Sequence, residues 1–150
     1  MKGQFDIYSE EPMTTEHPVS LKITLPKIPD IELVAVEGLT RLAAHLGIPD
    51  NKIGEARILV AEAIINGFEH AGGANTSVRV EFTMTRERLV IFVRDYGKGF
   101  DASAIPDPDA RRAAGGKRGW GLKLMKTMSD DFRLESTARG TKITLTKKLR

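Results

Sequence analysis

Hydrophobic and polar residues alternate along several segments of this chain, as they do in strands that bury one face. The alternation is clear in Val19–Leu25 and again from Thr76 to Met84. Leu89–Val93 is apolar at every position, which is expected of a central strand. Two further strands, joined by a turn, are predicted near the end of the chain at Phe132–Ser136 and Lys142–Leu149.

Three other segments carry apolar residues at helical spacing. The first is Ile31–Leu46, which a glycine and a proline follow, and the second begins at a capping Asp50 and continues to about Ala71. The third is Leu122–Met128. The resulting element order, with clustered strands and helices between them, predicts an α+β fold. We expect a two-layer sandwich whose mixed, mostly antiparallel sheet is covered by helices on one face.

The length of 150 residues fits one domain. Residues 1–18 are polar and show no period, so we predict a flexible leader followed by a single domain at 19–150. The absence of cysteine from the sequence excludes disulfides and thiolate chemistry. The net charge of +3 does not favour a nucleic-acid partner, and no apolar run is long enough for a membrane span. These features suit a cytoplasmic protein.

The second predicted helix carries a polar stripe formed by Glu62, Asn66 and His70. At about 100° per residue these side chains share one face, while Ile64 and Ile65 are predicted to lie on a dry side. A carboxylate can accept a proton from a hydroxyl group, and a carboxamide oxygen suits Mg²⁺. Taken alone, this stripe is more simply interpreted as the solvated face of an amphipathic helix.

A second motif, Asp95-Tyr-Gly97-Lys-Gly99-Phe100, follows the central strand. A carboxylate at the end of a strand can accept a hydrogen bond from an exocyclic amine. Glycines allow a close approach of the backbone to a ligand. The alternative is an ordinary tight turn, in which aspartate and glycine are common.

A third motif, Lys117-Arg118-Gly119-Trp120-Gly121-Leu122, opens the last predicted helix. Glycines before a helix expose free N–H groups at its positive end, and the two cations add charge for a phosphate. The alternative is a flexible loop. A fourth feature is Gly140-Thr141, which leads into the last strand and could place a threonine hydroxyl beside Asp95.

The order and spacing of these four features resemble the Bergerat-fold (GHKL) ATPases over about Val19 to Leu149. The resemblance implies that ATP and Mg²⁺ are bound, that Asn66 holds the metal and that Glu62 is the general base. It implies that Asp95 and Thr141 hold the adenine, and that residues 101–118 form a lid over the nucleotide. The remaining residues implied in ATP binding are His70, Gly97, Gly99, Phe100, Lys117, Arg118, Gly119, Trp120, Gly121 and Leu122.

Within that family the Glu-Ala-x-x-Asn and His-Ala pattern is most similar to the anti-sigma-factor serine kinases of the RsbW/SpoIIAB type. The resemblance implies phosphorylation of a serine on an anti-anti-sigma (STAS) protein and sequestration of a sigma factor. It also implies a possible homodimer, with no direct nucleic-acid or membrane partner. The alternative is an ATP-binding switch module that regulates a partner without phosphotransfer.

Overall fold

The structure is a computed structural model that describes residues 17–71, 76–96 and 120–149. Five strands and three helices form in these ranges, in the order β1, α1, α2, β2, β3, α3, β4, β5. Their bounds are β1 Val19–Pro26, α1 Glu32–His45, α2 Gly54–Ala71, β2 Ser77–Met84, β3 Arg88–Asp95, α3 Trp120–Met128, β4 Asp131–Thr137 and β5 Gly140–Lys148.

The strands form one sheet in the order β1-β2-β3-β5-β4. The four pairings between the described strands are all antiparallel, so the parallel component that a mixed sheet would contain is not seen in these ranges. The apolar β3 lies in the middle, as its sequence predicts. The predicted α+β two-layer sandwich is confirmed.

The hydrophobic core lies between the sheet and the helices. Phe82 and Ile91 from the sheet and Leu59 and Ile64 from α2 are fully buried in it. Residues that alternate with these along the strands, such as Phe92, remain partly exposed on the other face. Because strand side chains alternate between faces, the helices cover only one side of the sheet. None of the helices in the described ranges is both long and apolar enough to cross a membrane.

One predicted boundary is wrong. Asp50 does not cap α2, because it begins a short 3₁₀ turn, Asp50–Lys52, and α2 starts only at Gly54. The Asp50 carboxylate instead forms an ion pair with Arg57, one turn into the helix. The leader predicted for residues 1–18 lies outside the described residues apart from its last two positions, and β1 begins at Val19 as predicted.

Candidate functional site

Asn66 is buried in the middle of α2. Its side chain is only 7% exposed, and its Nδ2 has no hydrogen-bond partner among the described residues. A buried polar group without a partner is costly, so this position contradicts the simpler interpretation of a solvated helix face. A carboxamide can present either its N–H or, after a half-turn, its oxygen. The site therefore suits a phosphate oxygen or a hard cation.

Gly67, the next residue, explains how α2 comes so close to the sheet. A Cβ added there would lie 3.3 Å from Val78 Cγ2 and 3.5 Å from Val93 Cγ1. Val78 is the register partner of Asp95, so this contact sets the Asn66 turn of α2 over the strand end that carries the aspartate. Sequence reasoning gave Gly67 no role. The sequence feature that could have predicted this close packing is the pair of small residues Ala63 and Gly67, which lie one turn apart on the buried face of the helix.

Glu62 lies one turn before Asn66 and faces the start of α3. Its Oε2 is 3.1 Å from the position that a Cβ would take on Gly121. Any side chain at position 121 would therefore press on the carboxylate. The helix motif and the second glycine motif, which are far apart in sequence, are adjacent here.

The electrostatic environment of Glu62 favours its protonated form. Partial burial raises the pKa of this carboxyl above its ordinary value of 4.5, and the negative charge of Glu69 raises it further. A carboxylate with a raised pKa is a better proton acceptor than an ordinary surface carboxylate.

Asp95 and Thr141 are also brought together, each with only 1% of its side chain exposed. The backbone N–H of Thr141 donates to Asp95 Oδ1 at 3.3 Å. The Thr141 hydroxyl, which the sequence suggested as the donor beside Asp95, is 3.2 Å from the hydroxyl of Ser136. Asp95 is therefore a buried strand residue held by β5, and it is not a solvated turn residue.

Gly140 makes this arrangement possible. Its φ is +125°, a conformation that L side chains rarely adopt, and a Cβ there would lie 2.2 Å from the carbonyl oxygen of Asp95. The sequence identified the Gly140-Thr141 pair by resemblance, but the close contact between the Gly140 and Asp95 backbones is evident only in the folded chain.

Other predicted site residues have different outcomes. His70 is half-buried in the last turn of α2, and Leu122 is 8% exposed within the hydrophobic core, so their roles in binding stay predictions. Trp120 begins α3.

The prediction that Ile65 lies on the dry side of α2 is wrong, since it is 37% exposed. The predicted residues outside the described ranges are Gly97, Gly99, Phe100, Lys117, Arg118 and Gly119, together with the proposed lid at 101–118.

Comparison with known proteins identifies the family. A family profile described as "Histidine kinase-like ATPase domain" matches residues 29–147. The chain belongs to this family. Membership of an ATPase family implies that ATP is bound, in agreement with the ligand that the family resemblance of the sequence implied.

Two serine-protein kinases are similar in sequence to this member of the histidine kinase-like ATPase family. Serine-protein kinase RsbW of Bacillus licheniformis is 31% identical over 119 residues, covering 73% of this chain and 72% of that protein. Serine-protein kinase RsbW of Bacillus subtilis (strain 168) is 27% identical over 139 residues, covering 86% and 85% of the two chains.

A solved structure shares the fold. The crystal structure of the RsbU and RsbW domains of a Mycobacterium tuberculosis protein aligns with a TM-score of 0.64 at 20% identity. The alignment covers 87% of this chain and 32% of that longer chain. At this identity the similarity establishes the architecture, which agrees with the family assignment.

Replacing Gly140 with alanine tests the contact between β5 and Asp95. We expect Gly140→Ala to lower the free energy of unfolding by about 3 kcal/mol or more, because it combines an unfavourable φ with a backbone clash. Gly47→Ala is the matched control, since Gly47 also has a positive φ, +73°, but nothing lies within 4 Å of its added Cβ. The control should cost only about 1 kcal/mol. Equal losses in urea denaturation would show that the Asp95 contact is not restrictive.

The raised pKa of Glu62 predicts a specific dependence of stability on pH. A carboxyl with a higher pKa in the folded than in the unfolded state binds protons more tightly when folded, so its contribution to stability declines as pH rises through that window. Glu62→Gln should therefore be more stable than the native protein at about pH 7. The difference should shrink as the pH falls towards and below 4.5. Urea unfolding across this range measures it, and a difference independent of pH would contradict the proposed cause.

Proposed function

We propose that this protein is an ATP-dependent serine protein kinase of the anti-sigma-factor type, with Glu62 as general base and Asn66 at the metal and phosphate position. The observation that carries the proposal is the buried Asn66 amide, whose Nδ2 has no hydrogen-bond partner in the described part of the chain, one turn from a carboxylate that faces Gly121 at the start of α3. The relatives named as serine-protein kinases support the choice of acceptor.

In the proposed site, Asp95 accepts a hydrogen bond from the adenine amino group. Its position on β3 is fixed by the N–H of Thr141 and the tight approach of Gly140. Gly97, Gly99, Gly119 and Gly121 are predicted to shape the nucleotide pocket, and Lys117 and Arg118 are predicted to contact the phosphates. The other residues predicted to bind ATP are His70, Phe100, Trp120 and Leu122. Mg²⁺ with an oxygen ligand from Asn66 would neutralise the charge of the phosphate chain.

Glu62 suits the role of base in this reaction. A serine hydroxyl is a weak nucleophile until a neighbouring group accepts its proton. The carboxylate is half-buried and has a raised pKa, so it can accept that proton from a substrate that enters beside α3. Positioning of the two reactants and neutralisation of charge supply most of the remaining rate enhancement in phosphoryl transfer.

The proposed substrate is a serine of an anti-anti-sigma (STAS) protein, and the proposed second partner is a sigma factor. A homodimer, a cytoplasmic location and a leader at residues 1–18 ahead of a domain at 19–150 belong to the same proposal. The names of the RsbW relatives support the kinase, whereas the two partners follow from the family resemblance.

Asn66→Ala tests the nucleotide site. We expect the variant to bind Mg-ATP about tenfold more weakly, which corresponds to about 1.4 kcal/mol. The reason is the loss of the buried Asn66 amide that is proposed to contact the metal and the phosphates. Fluorescence of Trp120, the sole tryptophan, and calorimetry measure the binding. Asn51→Ala, an exposed asparagine in the 3₁₀ turn, is the matched control and should bind like the native protein. Unchanged binding by Asn66→Ala would remove the residue from the site.

Glu62→Gln separates catalysis from binding. We expect phosphate transfer to a purified STAS protein to fall by about a hundredfold or more, while ATP binding persists. The exposed Glu55→Gln on the same helix is the control and should retain transfer, because Glu55 does not contribute to the raised pKa of Glu62. Normal transfer by Glu62→Gln would contradict the assignment of the base. A native protein that binds ATP and the partner but yields no phosphorylated product would instead be a switch module.

A further inference from the structure

A row of positive side chains crosses the sheet on the face that the helices leave uncovered. Arg79 on β2 is the register partner of Arg94 on β3, and Arg94 is the partner of Lys142 on β5. Each alternates with buried residues that point towards the helices, so the three side chains share the open face. Like charges directly opposite each other on neighbouring strands are destabilising.

Only part of this charge is compensated within the described residues. Arg79 is paired with Glu81 on its own strand at 3.2 Å. Arg94 lies over the ring of Tyr96 at 4.8 Å, but neither Arg94 nor Lys142 has an ion pair there. Glu135 is the register partner of Lys142 and still lies beyond ion-pair distance.

Two of these cations, Arg94 and Lys142, line a cavity of about 300 Å³. Arg139, from the turn between β4 and β5, adds a third positive group, and no ion pair of Arg139 occurs in the described ranges. The lining residues are Arg94, Glu135, Thr137, Arg139, Gly140 and Lys142. Three positive groups against one carboxylate leave a local charge of +2, and the volume is at the lower end for small-molecule sites.

This cavity is separate from the candidate nucleotide site. Asp95 and Thr141 are buried on the helix side of the sheet, whereas Arg94 and Lys142, their neighbours in sequence, point to the opposite side. Gly140 lies between the two, since its backbone touches Asp95 and also lines the cavity.

We propose that this cavity is a second ligand site, which binds a small molecule bearing one or two phosphate groups. Two guanidinium forks and an ammonium group are the donors best suited to phosphate oxygens, and the Thr137 hydroxyl adds a neutral partner. A bound dianion offsets the repulsion between Arg94 and Lys142. The site does not depend on the proposed kinase activity.

Pyrophosphate is the probe for this site. Calorimetric titration of the full chain at constant ionic strength should show saturable binding. Lys142→Gln and Arg139→Gln should each weaken it about tenfold, or about 1.4 kcal/mol. Lys148→Gln is the matched control, because Lys148 lies on the same face of β5 opposite Arg88, outside the cavity. The control should bind pyrophosphate like the native protein.

Asn66→Ala distinguishes this cavity from the nucleotide site. If pyrophosphate binds in the cavity, Asn66→Ala leaves the affinity unchanged while Lys142→Gln lowers it. The proposal is overturned if binding is lost in Asn66→Ala and kept in Lys142→Gln, if Lys148→Gln weakens binding as much as Lys142→Gln, or if native protein shows no saturable binding. Arg139 lies in an exposed turn, so the effect of Arg139→Gln does not depend on an intact strand.

Discussion

The close packing of α2 on the sheet at Gly67 is the contact on which the arrangement of the site depends. Without a Cβ at this position, the helix rests directly on Val78 and Val93. That approach buries Asn66 and places it near the strand end that carries Asp95. It also sets Glu62, one turn earlier, against Gly121 of α3. A side chain at position 67 would press on Val78, so this turn of the helix or the neighbouring strand would have to shift.

A second close backbone contact fixes the other side of the site. Gly140 and Thr141 begin β5 directly beside the end of β3, and the N–H of Thr141 donates to the Asp95 carboxylate. This arrangement holds a buried carboxylate in place with a backbone donor, which is more rigid than a side-chain donor because it has no rotamers to lose. The polar groups proposed to recognise the base are therefore positioned before any ligand arrives, which reduces the entropy lost on binding.

The two faces of the sheet have opposite character at this end. The helix face carries carboxylate and amide groups that are buried, and the open face carries Arg79, Arg94 and Lys142 in a row. Alternation along the strands makes the two sets neighbours in sequence, such as Arg94 and Asp95, although they serve different surfaces. The helix-covered face and the open face are therefore suited to different ligands, although only the sheet itself separates them.

The sequence by itself determined the secondary structure, the α+β architecture and the motifs, because hydrophobic period and turn residues are local properties. The helical spacing predicted Glu62 and Asn66 one turn apart on one helix, which is where α2 has them. The sequence could not decide whether Asn66 was solvated, and it placed Ile65 and the cap at Asp50 wrongly. Burial of a helix face depends on what packs against it, and a cap depends on where the first turn forms.

Only the tertiary structure gave Gly67 and Gly140 their roles, because the Cβ clashes that exclude other residues come from partners 11 to 45 positions away in the chain. Only the strand register placed Arg94 opposite Lys142, since a shift by one residue would send either side chain to the other face.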